Sequence, residues 1–177
     1  MRFILPLCFL LLLSACGADS DTADAAQEKP FFDLAGYMDS EIERLAAQPP
    51  SMQKTVTIND ESESSADREI KLKNDLELFR RADINRNAWI DKYAVREEGD
   101  ITSYVATDSS LSTSLLRIQK ARTGEVQNIY IERRSGNILS DSKQILRYNP
   151  QEGYTMRYDQ ASNLVGSVVV NLEVTFQ

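Results

Sequence analysis

The chain has 177 residues, 42% of them hydrophobic, and a formal net charge of −7 from 27 acidic against 20 basic residues. That length suits one domain with a buried core, and the acidic balance excludes binding of nucleic acid or anionic lipid by bulk electrostatics. There is no histidine, which removes the Ser-His-Asp triad, the Cys-His dyad and every His-ligated metal site.

The first segment is basic, then apolar. Arg2 is followed by an apolar run from Ile4 to Leu13 broken only by Pro6. The run is too short to span a bilayer, which takes about 20 apolar residues, and reads as a secretory signal peptide. It ends in Leu13-Ser14-Ala15-Cys16, which resembles the lipobox of bacterial lipoproteins. That resemblance implies a diacylglyceryl group on the Cys16 thiol, cleavage before Cys16, and acylation of the freed amine by a palmitate-type chain. Each buried methylene contributes about 0.8 kcal/mol, so several chains together anchor the protein permanently. Cys8 leaves with the signal peptide. Cys16 is then the only cysteine of the mature chain, and no intramolecular disulfide forms. The expected organisation is a signal peptide over 1–15, a lipidated cysteine with an acidic tether over 16–29, and one domain over 30–177. The tether (Gly-Ala-Asp-Ser-Asp-Thr-Ala-Asp and onward) is small, polar and without periodicity. Its acidic residues are also similar to the surface-export signal of Bacteroidota lipoproteins.

Residues 30–48 predict a helix opened by Pro30, with Leu34, Met38, Ile42 and Leu45 at helical spacing and Pro49-Pro50 as its stop. Lys54 to Asn59 alternates and predicts a strand. Asp60 to Asp67 reads as a polar turn. Residues 68–83 predict a second helix with Leu72, Leu76 and Phe79 aligned and Asp67 as N-cap, although Arg68 to Lys73 also alternates and fits a strand. From about Asp100 the pattern is β. Leu116 and Ile118 share a face, as do Ile129 and Ile131. Tyr154, Met156 and Tyr158 alternate with polar residues, and Val168, Val170, Leu172, Val174 and Phe176 face one way. Turns at Thr123-Gly124, Ser135-Gly136-Asn137, Asn149-Pro150 and Ser162-Asn163 are closely spaced. The expected fold is α+β: an antiparallel meander of about six to eight strands, with two helices packed on one face.

Two constellations carry candidate chemistry. The stretch Asp83 to Ala94 places Asp83, Asn85, Asn87, the Trp89 carbonyl and Asp91 at EF-hand ligand positions. It lacks the glycine at the sixth position (Ala88) and the bidentate glutamate at the twelfth (Ala94). The competing reading is a polar loop in which Asp83 and the asparagines cap the preceding helix and turn the chain. The tyrosines Tyr130, Tyr148, Tyr154 and Tyr158 fit either a ligand platform or ordinary half-buried strand packing. The serines have no G-x-S-x-G context. Catalytic, cofactor-binding and metal-ligating roles are therefore assigned to no residue, and Cys16 is the one assigned site.

The segments Phe31-Phe32-Asp33-Leu34 and Phe79-Arg80-Arg81-Ala82-Asp83-Ile84-Asn85-Arg86-Asn87-Ala88-Trp89 resemble short envelope lipoproteins of Bacteroidota, a likeness that implies the envelope and no chemistry. The expected function is a non-enzymatic, membrane-anchored envelope lipoprotein that acts through a protein partner. The alternative is a carrier or binding module for an apolar ligand, by fold analogy with Lol-type carriers. The two differ in whether an apolar cavity lies between helices and sheet. By analogy with enterobacterial sorting, Gly17 after Cys16 implies the outer membrane.

Overall fold

The computed structural model describes residues 29–65, 71–136, 140–162 and 166–177. Cys16, the signal peptide, most of the tether and Asp67 lie outside them. The elements are α1 (Leu34–Ala47), β1 (Met52–Ile58), β2 (Glu61–Ser65), α2 (Leu72–Arg80), a 3-10 turn (Asn87–Trp89), β3 (Tyr93–Glu98), β4 (Ile101–Ala106), β5 (Thr113–Lys120), β6 (Val126–Gly136), β7 (Ser140–Asn149), β8 (Gly153–Ser162) and β9 (Gly166–Phe176).

All nine strands form one antiparallel sheet in the order β2-β1-β9-β8-β7-β6-β5-β4-β3. The fold is α+β, as the sequence predicts, with nine strands rather than six to eight. From β3 to β9 the chain is a plain meander, because each connection is short enough to pair a strand with its predecessor. The first hairpin then pairs β1 with β9 along seven register positions, Met52↔Phe176 through Ile58↔Val170.

The two additional strands come from segments that read as loops. The Glu61-Ser-Glu-Ser-Ser stretch pairs with β1 across the two-residue turn Asn59-Asp60, with Asn59 at φ 53°. Asparagine tolerates that left-handed conformation, which two-residue hairpins require. Tyr93 to Glu98 pairs with β4 as the opposite edge. Both edges are short and rich in acidic side chains, which discourages pairing with another chain.

Parity fixes the two faces. Tyr104, Leu116, Ile131, Leu146, Met156 and Leu172 form one cross-strand row, and Ile118, Ile129, Tyr148, Tyr154 and Val174 form the next. Both rows point to the inner face, against the helices. From α1 come Leu34, Met38 and Leu45, and from α2 come Leu76 and Phe79. These helix residues are 0–1% exposed. The β8 turn depends on Gly153 at φ 124°, where a Cβ would sit 1.9 Å from the Val174 carbonyl oxygen.

The helix boundaries differ from the sequence expectation. The cap of α1 is Asp33, whose carboxylate accepts from the Gly36 N–H at 2.8 Å, so the helix opens at Leu34, four residues after Pro30. The helix α2 begins at Leu72 with Lys71 at its cap position. No helix among the described residues is long and apolar enough to cross a membrane.

Candidate functional site

The loop that resembles an EF-hand is built as a knot between elements. Asp83 Oδ1 accepts from the Leu34 N–H at 3.1 Å and from the Asn85 side-chain amide at 3.2 Å, while Oδ2 accepts from the Asn85 N–H at 3.1 Å. Asn85 in turn accepts from the Phe31 N–H at 3.0 Å and donates to the Phe32 carbonyl at 2.9 Å. These side chains satisfy the free backbone groups just before α1, and hold that segment against the end of α2. The Trp89 carbonyl accepts from the Lys92 N–H. The competing reading, a polar loop, describes this geometry except in its target: Asp83 and Asn85 bond the segment that opens the first helix, where capping of the preceding helix was expected. Among the described residues no three acidic, cysteine or histidine side chains group as a metal cage.

The four tyrosines do not share one platform. Tyr130 points to the outer face, between the guanidinium groups of Arg117 at 5.6 Å and Arg147 at 5.2 Å, its register partners on either side. Tyr148 and Tyr154 are core residues at 1% and 2% exposure. Each gives its hydroxyl to a helix carboxylate: Tyr148 to Glu41 of α1, and Tyr154 to Asp75 of α2 at 2.8 Å. Burial, reinforced by those carboxylates, pushes both phenols well above their ordinary value. Glu41 also takes a two-pronged bond from Arg44, at 2.9 and 2.7 Å, and Lys54 Nζ lies 3.2 Å from Asp75. Glu41 is buried on the inner side of α1 and was not singled out in the sequence. Its spacing from Leu34, Met38 and Leu45 is itself helical, which is the signal that it faces inward.

These carboxylates are saturated by their partners and tie the helices to the sheet. Tyr93, which burial pushes up to about 12, donates to the Thr113 carbonyl at 2.7 Å, and Thr113 Oγ1 donates to the Ala82 carbonyl at 3.2 Å. The end of α2 is fixed in the same way. The helix-covered part of the inner face is therefore apolar packing closed by polar ties.

Beyond the helices the same face continues, with no described helix over it. The register carries it through Arg133, Gln144, Tyr158, Val170 and Ile58, then through Ser135, Ser142, Gln160 and Val168. Ile58 is 51% and Val168 36% exposed. A cleft of about 560 Å³ opens here, with Ser109 and Ser110 of the β4–β5 loop on one side and Gln160 and Val168 on the other. A smaller recess of about 60 Å³ adjoins it, lined by Ser112, Arg133, Arg134, Ser135, Ser142 and Gln144. Of the tyrosine set only Tyr158 lies on this surface. Arg133 was not singled out in the sequence, although it continues the alternation of Ile129 and Ile131.

This bare half of the inner face is the candidate site. It can bind: it offers apolar contacts, polar groups and the half-buried Arg133, and its cleft is rimmed by charges of both signs at Arg134, Asp141, Lys143 and Asp159. At its rim the Ser110 hydroxyl donates to the Asp108 carboxylate at 2.7 Å. No known protein family, curated protein or solved structure matches the chain.

Proposed function

We propose that the protein is a non-enzymatic, lipid-anchored envelope lipoprotein that holds a protein partner on the uncovered half of its sheet. The observation that carries this reading is the division of the inner face. One half is filled by helices and closed by polar ties, while the other exposes Ile58 and Val168 beside a polar row. Exposed aliphatic groups rimmed by polar ones are the usual composition of an interaction surface. A carrier for an apolar ligand needs space between helices and sheet. There Leu34, Met38, Leu76, Phe79, Leu116 and Ile131 are all at 0% exposure, which supports interaction over carriage. The anchor rests on the lipobox and Cys16, and the outer membrane on Gly17.

Affinity purification from detergent-solubilised membranes tests the interaction. The wild-type chain is expected to bring down a stoichiometric partner that Ile58→Glu loses. Recovery of the protein alone, or equal recovery with Ile58→Glu, contradicts the reading. Metabolic labelling with palmitate tests the anchor: label is expected in the wild type and absent in Cys16→Ser.

A further inference from the structure

The outer face of the sheet carries a charge opposite to that of the whole chain. Register places Arg96, Ser103, Arg117, Tyr130 and Arg147 in one row across β3 to β7, with parity opposite to the core. All three arginines are exposed, and two of them flank the Tyr130 ring. Among the described residues none of the three forms an ion pair. Two carboxylates of this face are engaged elsewhere: Glu132 with the Tyr130 hydroxyl and Lys143, and Asp159 with Arg157. Glu98 and Glu173 stand at the margins, one farther along β3 and the other on β9 beyond Arg147.

An aliphatic row runs beside the arginines. Ala94, Val105, Leu115 and Ile145 lie two residues away on the same strands, in register with one another through Glu132. They are half-buried, and both described helices pack on the opposite face. Unpaired arginines and a tyrosine beside a band of aliphatic groups match a bilayer interface, where phosphates lie over the first acyl carbons. We propose that the outer face of β3 to β7 rests on an anionic lipid surface.

The path of the chain supports that occupant. Phe31 packs against Tyr93 of β3 and Tyr104 of β4, at 5.8 and 5.6 Å, so the chain enters the domain at the edge where the arginine row begins. Residues 16 to 28 reach at most about 45 Å when extended. A lipid on Cys16 therefore keeps this edge within that distance of the bilayer, and to this extent the inference rests on the anchor proposed above. The net charge of the chain excludes attraction in bulk, but the carboxylates of the helices stand behind the sheet and the core. That is farther than the ~8 Å over which physiological salt screens a charge. With the outer face on the membrane, the open half of the inner face turns toward the aqueous side and its partner.

The test uses residues 16–177 with Cys16→Ser, which removes the lipid and leaves the face. The protein is sedimented with vesicles of phosphatidylcholine, and with vesicles of phosphatidylcholine and phosphatidylglycerol in equal parts. Binding is expected to the second only, and weakens in high salt. Arg117→Gln combined with Arg147→Gln lowers it about tenfold or more. The charge-matched pair Lys73→Gln with Arg81→Gln, on the helix side, leaves it unchanged. All four side chains are exposed, and thermal midpoints matched to the parent confirm folding. Equal binding to the two vesicles, or an equal loss in both double variants, overturns the proposal. So does an absence of vesicle binding; if a soluble peptide of residues 17–28 then binds the row, its occupant is the acidic tether. Because the assay omits the lipid, its failure is distinct from a failure of palmitate labelling, which bears on the anchor alone.

Discussion

The two halves of the inner sheet face are built from the same strands and obey different rules. Under the helices, successive inward positions such as Ile129, Ile131, Leu146 and Val174 are aliphatic and at most 2% exposed. Every inward hydroxyl there meets a helix, a loop or a neighbouring strand: Tyr148 on Glu41, Tyr154 on Asp75, Tyr93 on the Thr113 carbonyl. Four residues farther along β6, the inward position is Arg133, and the next strand offers Gln144 and Ser142. A core position tolerates a polar group only when its hydrogen bonds are met within the fold. The open half leaves one such bond unmet and two aliphatic side chains in solvent. The first half is shaped by stability, and the second is the surface proposed for binding.

That contrast sets the order of expected effects. Phe79→Ala strikes the covered half hardest, because the ring packs between Tyr148 and Tyr154. It is expected to destabilise the protein by about 3–5 kcal/mol in urea unfolding. Glu41→Ala leaves the Tyr148 hydroxyl buried without its acceptor, and is expected to cost about 1–3 kcal/mol. Asp83→Ala takes the acceptor from the Asn85 N–H and side-chain amide and leaves the Leu34 N–H with the Phe32 carbonyl alone. It is expected to cost about 1–2 kcal/mol, with unfolding unaltered by added calcium. A calcium-dependent rise in the wild-type midpoint would sharpen the loop's role in the other direction. Val168→Glu in the open half is expected to change stability by no more than about 0.5 kcal/mol. A loss as large as that of Glu41→Ala would erase the contrast.

The buried phenols add a pH signature. Their folded ionisation lies above the free tyrosine value near 10, so above that value the unfolded chain releases protons that the folded chain keeps. Stability is therefore expected to be insensitive to these groups below about pH 9. It should fall as pH rises past about 10 toward the folded values. A thermal midpoint that is flat to pH 11.5 would contradict the polar ties.

The sheet was legible in the sequence where one face is buried. Val168 to Phe176 alternates over its whole length, and so do Tyr154 to Tyr158, because those strands are apolar inward and polar outward. The edge strands were not legible. Glu61 to Ser65 has no buried face to generate a pattern, and is a strand only because β1 offers it a free edge. The candidate site was legible in part. Parity alone puts Arg133 on the side of Ile129 and Ile131, and puts Tyr130 on the opposite one. The end of helix cover is a tertiary fact, since it depends on where α2 stops against Thr113, and no local pattern records it. The Asp83–Asn85 stretch carried the right residue types for two uses, and the partner that decides between them, the segment before α1, lies 49 to 54 residues away in the chain.

The central claim is that the uncovered half of the inner face binds while the covered half only holds the fold together. Its most direct test is co-purification from solubilised membranes with Ile58→Glu set against Ile90→Glu, an equally exposed position in the turn before β3 and outside the sheet. With thermal midpoints matched to the wild type, the account predicts that the partner is lost from Ile58→Glu and kept by Ile90→Glu. Retention in both, or loss in both, contradicts it.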